Sequence, residues 1–210
     1  MVTGNWYYYR RQTQSGEYMR PPVEFWLTTG LVILTRIGDG LSTHLVTPDL
    51  SREMNPLAAG GWPALIAAAA VVLVFSTALN YCYLFRPVDN FPQAGGLSLG
   101  AFKRHYFDPR ANQTLATRTG SVLAYVFGYI VPRTLSAWSL LLIVNNLLTA
   151  FEFEPYISLK KTYPVWIAFY LMLPVLALTF LERLQRRDFS RYQEAHARAE
   201  RPRNDESATS

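Results

Sequence analysis

Ionisable side chains inside apolar runs are the residues of this 210-residue chain best placed to do chemistry. Arg36, Asp39 and Thr43 follow one another at spacings of three and four, so a helix places them on one face. An ionisable group at the centre of a membrane helix costs about 2.5–3.5 kcal/mol, and it therefore needs a partner or a water-filled cavity. The pattern predicts a buried polar centre that serves as an ion or proton site, or as an intramembrane active site.

The same residues have a purely structural interpretation. Arg36 and Asp39 are spaced to pair within their own helix, with Thr43 capping the pair. Gly38 and Gly40 flank the carboxylate, and such small residues let another helix approach closely. No reactive nucleophile accompanies the cluster, which favours the structural interpretation.

Arg133 lies in the third long apolar run, and its role depends on how that run crosses the bilayer. If all of 121–151 is one span, Arg133 lies at a depth where it could pair with Asp39. If 121–131 lies along the interface and crossing begins near Thr134, Arg133 extends to the cytoplasmic edge of the membrane instead. Pro132 predicts a kink or a break at this point.

A polar turn precedes the second apolar run. Asn55 followed by Pro56 is a helix-start signal, because asparagine caps a helix and proline fits its first turn. Glu53 can complement the dipole of that helix end. Glu53 and Asn55 therefore join the candidate polar centre.

These motifs carry a resemblance. Asp39 with Thr43, followed by Glu53-x-Asn55-Pro56, resembles the signature of a family of small, uncharacterised prokaryotic membrane proteins. The resemblance covers about residues 25–85. It implies a helical hairpin with linked polar groups, and it implies no particular reaction.

Four long apolar stretches must position these residues. They predict an all-α integral membrane protein with four transmembrane helices at about 25–46, 62–85, 121–151 and 163–181, since each is too long for a strand and lacks alternation. Charged residues make up 17% of the chain, against roughly a quarter in soluble domains. With a single cysteine as well, the composition excludes a disordered chain, a disulfide scaffold and an ordinary soluble domain.

Lysine and arginine are distributed unequally between the two sides of such a bundle. With four spans, 15 of the 20 fall in the N-terminal segment, the 86–118 loop and the tail. The positive-inside rule then places both termini in the cytoplasm, and a prokaryotic inner membrane is expected. The predicted organisation is an aromatic, basic segment at 1–24, a transmembrane domain at 25–181 with a cytoplasmic loop at 86–118, and a charged tail at 182–210.

Cofactor signals are weak. His44, His105 and Asp108 lack the spacing of metal ligands, so no metal site is predicted, and no phosphate-binding or hydrolase motif occurs. The cations flank apolar runs rather than form one basic face, which argues against a nucleic-acid partner. Aromatic residues, 14% of the chain, are compatible with a lipid, quinone or pigment contact without specifying one.

Three asparagines interrupt the apolar runs, and interhelical hydrogen bonding is their expected role: Asn80, Asn145 and Asn146.

Two functions remain in competition. The first is a non-catalytic accessory, scaffold or assembly subunit of a larger membrane complex, whose partners are membrane lipids and other membrane-protein subunits. Its basis is the absence of catalytic motifs together with a long loop and a charged tail. The alternative is an intramembrane enzyme or a small ion- or proton-coupled transporter that uses Asp39 and Glu53.

Overall fold

The computed structural model describes residues 21–51, 56–85, 92, 95–106 and 115–200. Every regular element within these ranges is helical, which confirms the predicted all-α class for this part of the chain. The elements are α1 (Pro21–Val46), a 3-10 turn (Pro56–Gly60), α2 (Gly61–Phe85), α3 (Leu99–Tyr106), α4 (Leu115–Ala150), α5 (Glu154–Thr162) and α6 (Val165–Glu200).

Three helical segments are long and apolar enough to cross a membrane: Leu57–Phe85, Ser121–Ala150 and Val165–Ala197. They contain most of the second, third and fourth predicted spans. The first predicted span, 25–46, is helical as part of α1 but does not belong to the three, because threonines, glycines and charged residues interrupt its apolar sequence.

The third predicted span is a single helix. α4 runs for 36 residues with Pro132 inside it, and no break separates 121–131 from the residues that follow. At about 1.5 Å per residue it is roughly 54 Å long. The Ser136 hydroxyl donates a hydrogen bond to the Pro132 carbonyl at 2.9 Å, within the turn that follows the proline.

The chain divides into two compact units. The first, called here the apolar unit, comprises Pro21–Pro87 and Leu123–Leu181. The second, called here the charged unit, comprises Met1–Arg20, Val88–Val122 and Glu182–Ser210. The described part of the predicted 86–118 loop contains α3, and the predicted charged tail is helical as far as Glu200.

The apolar unit buries many small polar side chains beside its tyrosines and exposes many large apolar ones. Trp26 and Leu34 are each 69% exposed, and Phe75 is 60% exposed. Small polar side chains occupy much of the interior, including Thr29, Thr35, Ser42, Ser76, Asn80, Thr134, Ser136 and Ser139. This arrangement suits a bundle whose outer surface faces hydrocarbon.

Two glycines allow close helix contacts in the apolar unit. A Cβ atom on Gly128 of α4 would lie 2.2 Å from the Leu79 carbonyl oxygen of α2. A Cβ atom on Gly38 of α1 would lie 2.9 Å from Cδ1 of Ile143 in α4. The first distance involves backbone, so only glycine fits at position 128.

The charged unit has a conventional core. Phe102 of α3 is buried against Phe189 and Tyr192 of α6, with ring centroids 5.4 Å apart in both pairs. The Tyr192 hydroxyl accepts a hydrogen bond from the Leu97 backbone N–H at 3.2 Å. Lys103 pairs with Glu182, which also accepts a hydrogen bond from Arg186.

Candidate functional site

Helices α1 and α4 run side by side in the same direction. Glu24 contacts Arg133, Gly38 contacts Ile143, and Thr43 contacts Asn146, so positions increase together along both helices. From Glu24 to Ser42 the contact zone extends roughly 27 Å at about 1.5 Å per residue.

Helix α2 runs opposite to α1. The Asn80 amide donates to the Thr29 hydroxyl at 3.3 Å, near the end of α2 and the beginning of α1. At the other end, the Trp62 indole donates to the Pro48 carbonyl at 2.8 Å. These contacts place the two polar centres described next at different levels of the same three-helix group.

The first polar centre is a buried ion pair between α1 and α4. Arg133 Nη2 lies 2.7 Å from Glu24 Oε1, with the side chains only 16% and 10% exposed. Arg133 Nη1 also donates to the Tyr129 carbonyl at 2.9 Å. The guanidinium lies 4.0 Å from the centroid of the Tyr129 ring and 5.5 Å from that of Tyr83. The arginine thus joins three helices through opposite charge, hydrogen bonding and ring contact.

This ion pair differs from the pairing considered for Arg133, and the depth of Arg133 in a membrane stays a prediction. Its carboxylate partner is Glu24 rather than Asp39. Sequence analysis missed Glu24 because it was assigned to the segment that precedes the first span, whereas α1 begins at Pro21. The available signal was an acidic residue in the first turn of an apolar helix, together with an arginine in another apolar run.

The second polar centre is the predicted pair within α1. Arg36 Nη1 and Asp39 Oδ2 are 3.5 Å apart, with side chains 19% and 18% exposed. The Arg36 Nε atom is buried and has no hydrogen-bond partner in the part of the chain that the structure describes. Thr43 does not cap this pair by any hydrogen bond described, but accepts one from Asn146. The N–O distance in this pair is therefore longer than in Glu24–Arg133, and one N–H of Arg36 has no described hydrogen bond.

A chain of hydrogen bonds, called here the asparagine network, follows one turn later. Asn146 donates to the hydroxyls of Ser42 and Thr43, each at 3.1 Å. Asn145 donates to Asn146 Oδ1 at 2.8 Å and accepts from the Tyr156 hydroxyl at 2.5 Å. With the Asn80 bond, these contacts confirm the interhelical role predicted for all three asparagines. The network ties α1, α4 and α5 together.

Two members of the predicted centre, Glu53 and Asn55, lie outside the described residues. Pro56 opens the 3-10 turn, and α2 itself begins five residues later, at Gly61. No cluster of three or more histidine, cysteine, aspartate or glutamate residues able to hold a metal ion occurs within the described ranges.

An open apolar groove of about 540 Å³ lies between α1 and α2. Its walls are almost entirely carbon, with one cysteine and one threonine among them, and this composition accepts hydrocarbon without selecting a ligand. The lining residues are Phe25, Val74, Thr77, Ala78, Tyr81 and Cys82.

Most of the described polar groups in the two centres and the asparagine network bond to one another, within a helix or between helices. Glu24 neutralises Arg133, Asp39 neutralises Arg36, and the asparagines bind hydroxyls and each other. Comparisons of the chain with protein-family models, with curated proteins and with solved structures gave no match. The resemblance of residues 25–85 to the small membrane-protein family stays a hypothesis that rests on its motifs.

Proposed function

We propose that this chain is a four-span, non-catalytic integral membrane protein that serves as an accessory or scaffold subunit of a larger membrane complex. The observation that carries this proposal is the lateral surface of α6. None of the residues in the most apolar stretch of this helix is buried within the chain, although this stretch is hydrophobic enough to cross a membrane. Such a helix keeps its surface available to lipid and to other subunits.

The fourth span in this proposal is α1. It is 26 residues long, about 39 Å at 1.5 Å per residue, and so long enough for a hydrocarbon core of roughly 30 Å. It lies along α4 from the Glu24–Arg133 pair to the asparagine network, and antiparallel to α2. A helix in contact with two apolar spans over this distance shares their depth. Glu24, Thr29 and Ser42 bond to those partners, while Leu34 and Leu41 are 69% and 63% exposed.

The interior supports a structural role. A transporter or an enzyme needs polar groups that can exchange partners, whereas Glu24–Arg133 is short, buried and supported by two aromatic rings. Interhelical hydrogen bonds of the kind formed by Asn80 and Asn146 hold helices in register. The charged unit adds an aqueous surface rich in arginine for contacts outside the membrane.

Cysteine labelling tests the number of spans. Because Cys82 is the single cysteine, a Cys82→Ser background accepts reporters at Ser15, Ser158 and Ser207. Four spans require Ser15→Cys and Ser207→Cys to react with an impermeant thiol reagent from the cytoplasmic side, and Ser158→Cys from the opposite side. If the two terminal reporters react from opposite sides, the four-span arrangement is wrong.

A matched pair of variants tests the subunit role. The chain is purified from its native membranes in mild detergent, and the mass and composition of the intact complex are measured. Leu171→Ala with Leu178→Ala alters exposed positions on α6, and Leu34→Ala with Leu41→Ala alters equally exposed positions, at the same spacing, on α1. We expect a stoichiometric partner that only the α6 variant loses. A chain that purifies alone or only with copies of itself would overturn the proposal.

One observation favours the alternative of an ion- or proton-coupled site at Asp39. The neighbouring Arg36 retains a buried Nε–H without a described partner, so the pair has capacity for a further ligand. Under this alternative, Asp39→Asn abolishes transport or turnover in reconstituted vesicles while the amount of protein in the membrane is unchanged. Under the subunit role, the same variant lowers abundance and leaves complex formation per molecule intact.

A further inference from the structure

The short helix α5 and its flanks have the composition of a membrane–water boundary. None of its side chains is buried, and its last turn carries Lys160 and Lys161. Exposed aromatic rings precede and follow it, with Phe151 at 78% and Tyr163 at 61% exposure. Aromatic residues concentrate at the level of lipid headgroups, where their rings contact both hydrocarbon and water.

Two hydrogen bonds attach α5 to the last turns of α4. The Tyr156 hydroxyl donates to Asn145 Oδ1 at 2.5 Å, and Lys160 Nζ donates to Thr149 Oγ1 at 3.1 Å. The partners on each helix are four residues apart, so each pair lies on one helix face. The Thr149 hydroxyl itself donates to the Asn145 carbonyl at 2.8 Å, which fixes its orientation. These bonds orient the Lys160 ammonium toward the end of α4.

This ammonium has binding capacity left over. Of its three N–H donors, one engages Thr149, and the ring of Tyr156 lies 5.6 Å from Nζ. No carboxylate lies within ion-pair distance of Lys160 in the described part of the chain. Partial burial lowers the pKa of the Lys160 amino group, and a nearby anion would counteract this effect. Glu154 stands six residues earlier, about 9 Å away along the helix axis.

We propose that Lys160, positioned by Thr149 and Tyr156, binds the phosphate of an anionic phospholipid. The inference rests on the proposed membrane-spanning arrangement, which brings α5 to the headgroup level. The two remaining N–H groups donate to phosphate oxygens, and the exposed rings of Phe151, Phe153, Tyr163 and Trp166 contact the glycerol and upper acyl region. Lys161 has the same charge, but no described hydrogen bond holds it, so it attracts anionic lipid only diffusely.

Lipid retention measured on the isolated full chain tests this site. The purified protein is exchanged into mixed micelles with equal amounts of phosphatidylglycerol and phosphatidylcholine, and bound lipid is counted by native mass spectrometry. We expect wild type to retain phosphatidylglycerol preferentially, and Lys160→Gln to lower this preference about fivefold, the contribution of one cation near an anionic surface. Lys161→Gln is the matched control and should change the preference less than twofold. Equal losses in both variants would overturn the proposal.

Two further experiments test whether Thr149 positions Lys160 and whether the bound phosphate belongs to a lipid or is free in solution. Thr149→Val keeps both lysines and the net charge but removes the hydrogen-bond acceptor of the Lys160 ammonium, so it should reduce the preference for phosphatidylglycerol. An unchanged preference would show that Lys160 is not positioned by Thr149 and would overturn the proposal. Inorganic phosphate is added at millimolar concentration, and displacement of phosphatidylglycerol at that level would assign the site to free phosphate instead. No partner subunit enters these measurements, so a missing complex refutes the subunit role alone. A failed lipid preference refutes this inference alone.

Discussion

The two units of this chain differ most in the small polar side chains that they bury and the large apolar side chains that they expose. In the apolar unit, serines, threonines and Asn80 are inside, while leucines such as Leu171 are 62% exposed. In the charged unit, Phe102, Leu184 and Tyr192 are at most 1% exposed, and arginines such as Arg183 lie at the surface. This difference is expected if, as proposed, lipid surrounds the apolar unit and water surrounds the charged unit.

The contrast shows what holds each unit together. In water, burial of apolar area drives packing at roughly 25 cal/mol per Å². In hydrocarbon no such force acts between helices, and close packing, hydrogen bonds and ion pairs hold the helices together instead. The apolar unit has Gly128 at a backbone contact and an ion pair at Glu24–Arg133 beside buried tyrosines, whereas the described core of the charged unit consists of packed apolar and aromatic side chains around Phe102 and Tyr192.

The largest effect is expected from removing one partner of the buried ion pair. Arg133→Met leaves the Glu24 carboxylate without its guanidinium and should lower the free energy of unfolding by about 3–5 kcal/mol, the usual range for a broken buried pair. Titration with sodium dodecyl sulfate in mixed micelles measures this change. The double variant Glu24→Gln/Arg133→Met should recover much of the loss, because it removes both charges of the pair.

A matched pair of leucine truncations tests the contrast itself. Leu184→Ala opens a cavity in the charged unit, where the side chain is 0% exposed, and should cost about 2–5 kcal/mol. Leu171→Ala, on the exposed surface of the same helix, should change the free energy of unfolding by less than about 0.5 kcal/mol. Chemical unfolding of the two variants in detergent provides the comparison. Equal losses would mean that the exposed surface of α6 is buried in the isolated protein.

Close helix packing in the apolar unit predicts a smaller but specific effect. Gly128→Ala places a methyl group against the backbone of α2, so the two helices must move apart. We expect this to lower the free energy of unfolding by about 1–3 kcal/mol. Gly30→Ala is the control, since a Cβ atom there meets no atom within 4 Å. Thermal unfolding in detergent should show a lower midpoint for the first variant only.

The asparagine network should contribute less. Asn146→Ala removes two interhelical hydrogen bonds, and such bonds average about 0.6 kcal/mol in membrane bundles, with a maximum of about 1.7. The same unfolding assay applies, with Thr162→Ala as the control, because its hydroxyl bonds only within α5. A loss above 3 kcal/mol, roughly the scale of a broken buried ion pair, would mean that the network stabilises the protein by more than the sum of its individual hydrogen bonds.

The smallest expected effect depends on pH and belongs to the turn after α1. Hydrogen bonds from the Ser51 backbone N–H and hydroxyl, and from Thr47, lower the pKa of Asp49 below the ordinary value of an aspartate. Its contribution to stability is therefore complete above about pH 4 and is lost as the pH falls through the lowered pKa. Unfolding midpoints between pH 6 and pH 2.5 should fall slightly more for wild type than for Asp49→Asn.

Local patterns in the sequence predicted the helices and part of the site. Runs of about 20 apolar residues mark α2, α4 and α6, and the three-residue spacing of Arg36 and Asp39 produces their contact. Polar amides in apolar runs must find partners, which is why the asparagine bonds were predictable.

Long-range partners were not predictable in the same way. Glu24 and Arg133 are 109 positions apart, and nothing in either local sequence identifies the other. Helix α3 was missed because eight residues with mixed polarity acquire a reason to be helical only when Phe102 packs on Phe189 and Tyr192. The four-span arrangement and the functional role of Asp39 stay predictions.

The separation of Glu24 from Arg133 along the chain also determines how early in synthesis their ion pair can form. At about 5–20 residues per second, the ribosome makes Arg133 roughly 5–20 s after Glu24, across the 109 intervening positions. During that interval Glu24 lacks the Arg133 guanidinium, whereas α1 can already bond to α2 through Thr29 and Asn80. In the proposed four-span arrangement, the hairpin of α1 and α2 therefore enters the membrane before its ion pair with α4 can form, so insertion of the hairpin precedes its final packing.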